Sequence, residues 1–232
     1  MSNLVEITEE EKHCLIRVDD GKANALSFDM LAQLNGALDK AEQAGKVVVI
    51  CGRPGKFSAG FDLSVMGQGG DAMMQILLAG ANLSRRLLAF ETPVVLAASG
   101  HALAMGALLL LSADYRIGVT GDYKIGLNEV AIGMTLPQFG VELARARLAK
   151  THAEKCVTLA QVYNALAAVE AGYLDEAVAE EELLPHAISV AERLSTLNMV
   201  AHRESKAKMR AELNAAMERA VELELGQVVS AG

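Results

Sequence analysis

The order of apolar and polar positions divides the chain into strand-like and helix-like stretches. Residues 4–18 alternate weakly, with Val5 and Ile7 and then Cys14, Ile16 and Val18, as the two strands of a hairpin do. Asp19-Asp20-Gly21 is a turn signal. Ser27 is placed to cap a helix running to about Gln43, in which Met30, Leu31, Leu34 and Leu38 share one face. Val47–Ile50 is an unbroken apolar run, the pattern of a strand buried on both sides. A glycine-rich loop covers Gly52–Gly60, a second glycine-rich stretch covers Gly67–Gly70, and a helix is expected at about 71–90. The strands Val94–Ala98 and Tyr115–Val119 flank an apolar helix at about 104–111. Further helices are expected at 137–150, 152–161 and 165–171, the last ended by Gly172. From Pro185 onward the pattern is helical alone, and the one candidate boundary lies near 183–190. Strands alternating with helices imply βαβ units, hence an α/β fold with a parallel sheet packed under helices.

Composition narrows the picture. Of 232 residues 52% are hydrophobic and only 4% aromatic, with no Trp, so the core is built from Ala, Leu, Val, Ile and Met. The net charge of -8 repels a phosphate backbone and argues against nucleic-acid partners. Thr92–Ser112 contains no Asp, Glu, Lys or Arg and has the length of a membrane span. Pro93 and Ser99-Gly100 interrupt it, which fits a strand, a turn and a buried helix better than a span. Cys14, Cys51 and Cys156 are odd in number and lack metal-type spacing, so no metal site and a reducing compartment are expected. The acidic start MSNLVEITEEEKH has no apolar signal region, and the terminal VVSAG carries no peroxisomal or retention tail. A cytoplasmic protein is the expectation.

Three stretches carry chemistry. In Lys56-Phe57-Ser58-Ala59-Gly60-Phe61-Asp62-Leu63, small residues let a ligand approach the backbone. Ser99-Gly100-His101-Ala102-Leu103-Ala104-Met105-Gly106 runs from a strand into a helix, whose first N–H groups lack intrahelical partners and favour negative charge. Ile125–Gly133 holds one carboxylate, Glu129, among otherwise uncharged residues. Taken singly, these read as a surface turn, core packing and a solvated loop carboxylate.

Taken together, and in this order, they resemble the crotonase (enoyl-CoA hydratase/isomerase) superfamily. The resemblance runs from Val5 to about Val178. It includes Ala23-Asn24-Ala25-Leu26, Phe57–Leu63, Pro93-Val94-Val95, Ala113-Asp114-Tyr115-Arg116-Ile117 and Ala168-x-x-Ala171-Gly172-Tyr173-Leu174-Asp175. It implies a spiral of ββα units with a C-terminal helical region, an acyl-coenzyme A thioester as substrate, and no cofactor beyond the coenzyme A of the substrate. By the same resemblance the N–H groups of Phe61 and Met105 form an oxyanion hole for the thioester oxygen. Lys22, Ala23, Ala25, Ser58, Ala59, Gly60, Asp62, Leu63 and Leu108 fall at substrate-binding positions.

Two departures are informative. Where the superfamily has consecutive glycines, this chain has Ala104-Met105-Gly106, so the Met105 side chain must point away from the ligand. Hydratases of the superfamily carry two catalytic glutamates; one matches Glu129, and the other position is Leu108 here. Hydration needs a group to activate water and a group to deliver a proton, whereas moving a double bond needs one group that takes a proton and returns it. Ile125-Gly126-Leu127-Asn128-Glu129 also resembles the loop of mitochondrial Δ3,Δ2-enoyl-CoA isomerases, which use a single glutamate. An enoyl-CoA isomerase with Glu129 as base is therefore the expectation. A hydratase (a lyase) or another acyl-CoA reaction of the superfamily, and a non-catalytic acyl-CoA-binding protein, are the alternatives.

His101 is expected to pack or cap locally, and Lys22, Arg53 and Lys56 stand near the loops expected to meet the nucleotide part of coenzyme A. Residues 1–188 form the expected catalytic core and 189–232 a helical oligomerisation region. The superfamily's terminal helices build trimers, so a homotrimer or dimer of trimers is expected, without membrane or nucleic-acid partners.

Overall fold

The computed structural model describes residues 3–230, with side chains as far as Glu224. Met1-Ser2 and Ala231-Gly232, on which part of the reading of the two chain ends falls, lie outside the described residues.

The chain opens with the expected hairpin, β1 (Val5–Glu9) antiparallel to β2 (His13–Val18). Ser27 caps α1 (Phe28–Ala44) by accepting the Met30 N–H, and Met30, Leu31, Leu34 and Leu38 are buried on one face. β3 (Val47–Cys51) follows, then β4 (Gly55–Ser58), the one-turn α2 (Leu63–Met66) and α3 (Gly70–Ala89). The uncharged stretch becomes β5 (Val94–Ala98), β6 (Gly100–Leu103) and α4 (Met105–Ser112). Every residue of α4 is buried, as a helix apolar on all sides must be. Among the described residues no helix is long and apolar enough to cross a membrane.

β7 (Tyr115–Val119) and the two-residue β8 (Ile125–Gly126) lead to a 3₁₀ turn over 130–132. Then come α5 (Gln138–Arg147), α6 (Lys150–Thr158), α7 (Ala165–Ala171), β9 (Glu176–Val178), α8 (Glu180–Leu194), α9 (Met199–Met209) and α10 (Ala211–Ser230). Helix α8 starts five residues before Pro185, because Glu180, Glu181 and Glu182 suit the positive end of a helix. Residue 188 therefore lies inside α8.

Six strands form one sheet in the order β1-β2-β3-β5-β7-β9, parallel from β2 onward. Strands β4, β6 and β8 form a second, smaller parallel sheet. Strands β3 and β5 at its centre are buried at every position, and their side chains alternate between two cores. Val48, Ile50, Val94, Leu96 and Ala98 face the main core with α1, α3 and α4, while Val47, Val49, Cys51, Val95 and Ala97 pack beneath Leu183, Ala187 and Val190 of α8.

Strands β4, β6 and β8 fall in stretches whose sequence reads as loops or turns. They are short and each contains Gly, so they show no alternation, and their edges are specified by partners far away in sequence.

Candidate active site

The site is built on the small sheet and on the segments that hang from it. Asn24, fully buried and with φ of 52°, donates through Nδ2 to Val18 O at 2.9 Å, Lys56 O at 3.1 Å and Phe57 O at 3.2 Å. The Asp20 carboxylate accepts the N–H groups of Lys22, Asn24 and Ala25. Burial pushes that carboxyl up, but these backbone donors win and hold it below its ordinary value. The loop so fixed lies against the first motif: Ser58 Oγ donates to Asn24 O at 2.8 Å, and the Ala59 N–H to Ala23 O at 3.0 Å.

Leu26 and Phe61 then form a parallel bridge. Leu26 N–H donates to Gly60 O and Asp62 N–H donates to Leu26 O, so Phe61 turns its own N–H away from Leu26. That N–H finds no backbone acceptor among the described residues. Gly60, at φ 93°, has to be glycine: a Cβ there would stand 2.7 Å from Ala104 Cβ and 3.1 Å from Met105 N. The first two motifs meet at this point.

Ala104, with φ of 50°, donates its N–H to Gly126 O at 3.1 Å and so ties the second motif to β8. Met105 opens α4, and a helix's first N–H has no intrahelical acceptor. Its side chain is buried against α3, where Gly80 leaves room for both Met105 and the Phe61 ring; a Cβ at Gly80 would come within 2.4 Å of Phe61 Cζ. The Met105 side chain is thus packed in the core.

β8 pairs with β6 through Ala102–Ile125 and Leu103–Gly126, and this pairing delivers Glu129 beside the other two motifs. The Glu129 carbonyl accepts from Ile132 and Met134, which fixes the turn it opens.

The three motifs enclose a cavity of about 140 Å³. Ala59, Phe61, Leu63, Ala104, Leu108 and Glu129 line it, together with Met66, Leu77, Asn128, Ile132, Met134 and Pro137. Glu129 is the one ionisable residue on this wall. It is 7% exposed, and burial pushes its carboxyl up to about 7 against the opposing pull of the Glu129 and Asn128 backbone amides. Glu129 Oε2 and Asn128 Oδ1 are buried and have no hydrogen-bond partner among the described residues. Leu108 is 1% exposed and presents hydrocarbon to the same space.

The remaining expected positions lie beside this cavity and are not on its wall. Ala23, Ala25, Ser58 and Gly60 belong to the paired frame just described. Asp62 caps α2 by accepting the Ser64 N–H at 2.8 Å. Lys22 is exposed, and its carbonyl accepts from Arg53 Nη1 at 2.9 Å. His101 accepts the Lys124 N–H through Nδ1 at 3.0 Å and stacks edge-on against Tyr123, a local packing role as expected. Cys14, Cys51 and Cys156 are buried thiols. No group of three or more metal-ligating side chains occurs among the described residues.

Met66, Leu77, Ile132, Met134 and Pro137 were not foreseen as wall residues. They are ordinary apolar positions brought together only by tertiary packing. Asn128 had one available signal, its place next to Glu129.

A largely apolar cavity with one buried carboxylate, raised toward neutrality, is suited to taking and returning a proton. The chain belongs to the enoyl-CoA hydratase/isomerase family, whose model matches residues 8–231. It is 32% identical over 225 residues to the crotonyl-CoA hydratase of Syntrophomonas wolfei, across 94% of this chain and 85% of that one. It is 31% identical over 192 residues to the human mitochondrial enoyl-CoA delta isomerase 1, across 81% of this chain and 64% of that one. The crystal structure of an enoyl-CoA hydratase/isomerase family protein from Pseudomonas syringae superposes with a TM-score of 0.94 at 42% identity, covering 96% of each chain.

Proposed function

We propose that the protein is an enoyl-CoA isomerase that moves a 3-enoyl thioester double bond to the 2-position. In this reading Glu129 removes a proton from C2. The C3–C4 double bond electrons shift through a dienolate whose negative oxygen accepts the N–H groups of Phe61 and Met105. Glu129 then returns the proton to C4, leaving the double bond between C2 and C3. Preorganised donors in a dry site favour the charged oxygen, and losing one such donor typically costs about 10²–10³ in rate. In the same reading Lys22, Arg53 and Lys56, near the loops expected to meet the nucleotide part of coenzyme A, contact its phosphates.

The observation that carries this reading is that Glu129 is alone: the cavity wall offers one acid, with Leu108 where a second would serve to hold water. A carboxyl near pKa 7 exchanges a proton in both directions close to neutrality, which suits a shuttle. The isomerase among the relatives is consistent with it. The hydratase among them favours a second reading, hydration of a 2-enoyl thioester by the same glutamate. Measured turnover of 3-enoyl and 2-enoyl thioesters side by side separates the two. Isomerisation well in excess of hydration is expected; the reverse ratio overturns the first reading and establishes the second. The protein is expected to act in the cytoplasm as a homotrimer or dimer of trimers.

A further inference from the structure

Leu77 of α3 is shared by two spaces. On one side it lines the 140 Å³ cavity with Glu129, and on the other it lines a void of about 10 Å³ enclosed by α3, α5 and α10. That void is bordered by Phe139 of α5 and by Val221 and Glu224 of α10. The seam is held shut at its rim, where the Gln138 N–H, next to the cavity residue Pro137, donates to Glu224 Oε1 at 2.5 Å. One buried leucine side chain thus separates the reaction cavity from a closed seam that continues past it.

The cavity is small beside the roughly 300–1,000 Å³ of sites that enclose drug-sized ligands. Its walls around Leu77 and Met66 are apolar, so the part of a substrate that reaches them is hydrocarbon.

We propose that Leu77 is the end wall of the acyl pocket and restricts the enzyme to short-chain acyl thioesters. The inference rests on the acyl-thioester reading above. Beyond Leu77 the α3–α5–α10 seam is a direction in which this wall can yield to a longer chain without disturbing Glu129. Truncating a buried leucine can open a dry void of roughly 150 Å³ that accepts an apolar guest.

The test is a calorimetric series of saturated acyl-CoA thioesters from two to twelve carbons against wild type, Leu77→Ala, Leu77→Val and Leu77→Phe. Each buried methylene is worth about a fourfold gain in affinity, so the dissociation constant falls with chain length until the chain meets its end wall. In wild type the fall is expected to stop at a short chain. In Leu77→Ala it should continue for about three more carbons, matching the atoms removed, and in Leu77→Phe it should stop earlier. Leu77→Val, a milder truncation, should move the limit in the same direction as Leu77→Ala and decides the matter if the alanine variant does not fold. A limit at the same chain length in every folded variant overturns the proposal. Saturated thioesters carry no double bond to move or hydrate, so this series reads Leu77 independently of isomerisation and hydration. A limit that moves without any isomerisation of 3-enoyl substrates sinks the isomerase reading and leaves Leu77 standing. Absence of binding by every thioester sinks both.

Discussion

Lys206 Nζ lies 2.6 Å from Asp114 Oδ2, and the pair joins a helix near the end of the chain to the residue just before β7. Arg210, one turn further along, reaches the other oxygen of the same carboxylate at 2.9 Å. Both cations also donate to main-chain carbonyls, Lys206 to Phe90 and Arg210 to Leu88 and Ala113. Asp114→Ala would leave two buried cations facing each other with their counter-ion gone. The expected loss is about 3–5 kcal/mol, read from chemical denaturation. A loss under about 1 kcal/mol would show that water reaches the cluster.

Glu129→Gln keeps the shape of the wall and removes the base. Turnover should fall by about 10²–10⁴ while acyl-CoA binding, measured by calorimetry, stays within a few fold of wild type. Full turnover in a folded variant would remove Glu129 from the mechanism.

The same residue sets a pH dependence with two readouts. Proton abstraction needs the carboxylate, so kcat/KM should rise with pH through an apparent pKa of about 7 and level off above pH 8. Stability moves the other way. The carboxyl titrates near 4.5 when unfolded and near 7 when folded, so between these values the folded state holds more proton. This group's contribution is therefore most favourable at low pH and declines as pH rises to about 7, by about 3 kcal/mol. Glu129→Gln escapes the decline. Its melting temperature should exceed that of wild type at pH 8, and the difference should shrink toward pH 5. A constant difference across that range would mean that the folded carboxyl titrates in the ordinary range.

Leu108→Glu places a second acid on the cavity wall. Hydration of a 2-enoyl thioester should increase relative to isomerisation, because a second carboxylate can hold the water that leucine leaves loose. The substitution also buries a charge on α4, so melting should be followed in parallel. A stable variant with an unchanged ratio of the two activities would detach Leu108 from reaction choice.

What could be read in advance depended on how local the determinants were. β3 announced itself because Val47–Ile50 is apolar at every position, and α1 because Ser27 and a 3.6-residue stripe agree. Glu129 stood out as one charge in an uncharged stretch. The small sheet was invisible because the strands Gly55–Ser58, Gly100–Leu103 and Ile125–Gly126 are short, and their pairing links positions tens of residues apart. Asn24 gave no warning of its place as a fully buried bracket, since its three acceptors come from two other segments. The apolar half of the cavity is a product of packing, and single leucines and methionines carry no mark that distinguishes a pocket wall from a core.

Met105 shows how main chain and side chain can answer to different demands. Its nitrogen lies by Gly60, while its thioether is sunk among Gly80 and the Phe61 ring. Any residue that fills that recess leaves the cavity wall unchanged, because the Met105 side chain is not part of that wall. Variation at position 105 is thus screened by volume, and a Met105→Leu protein should differ from its parent in how it melts before it differs in what it does.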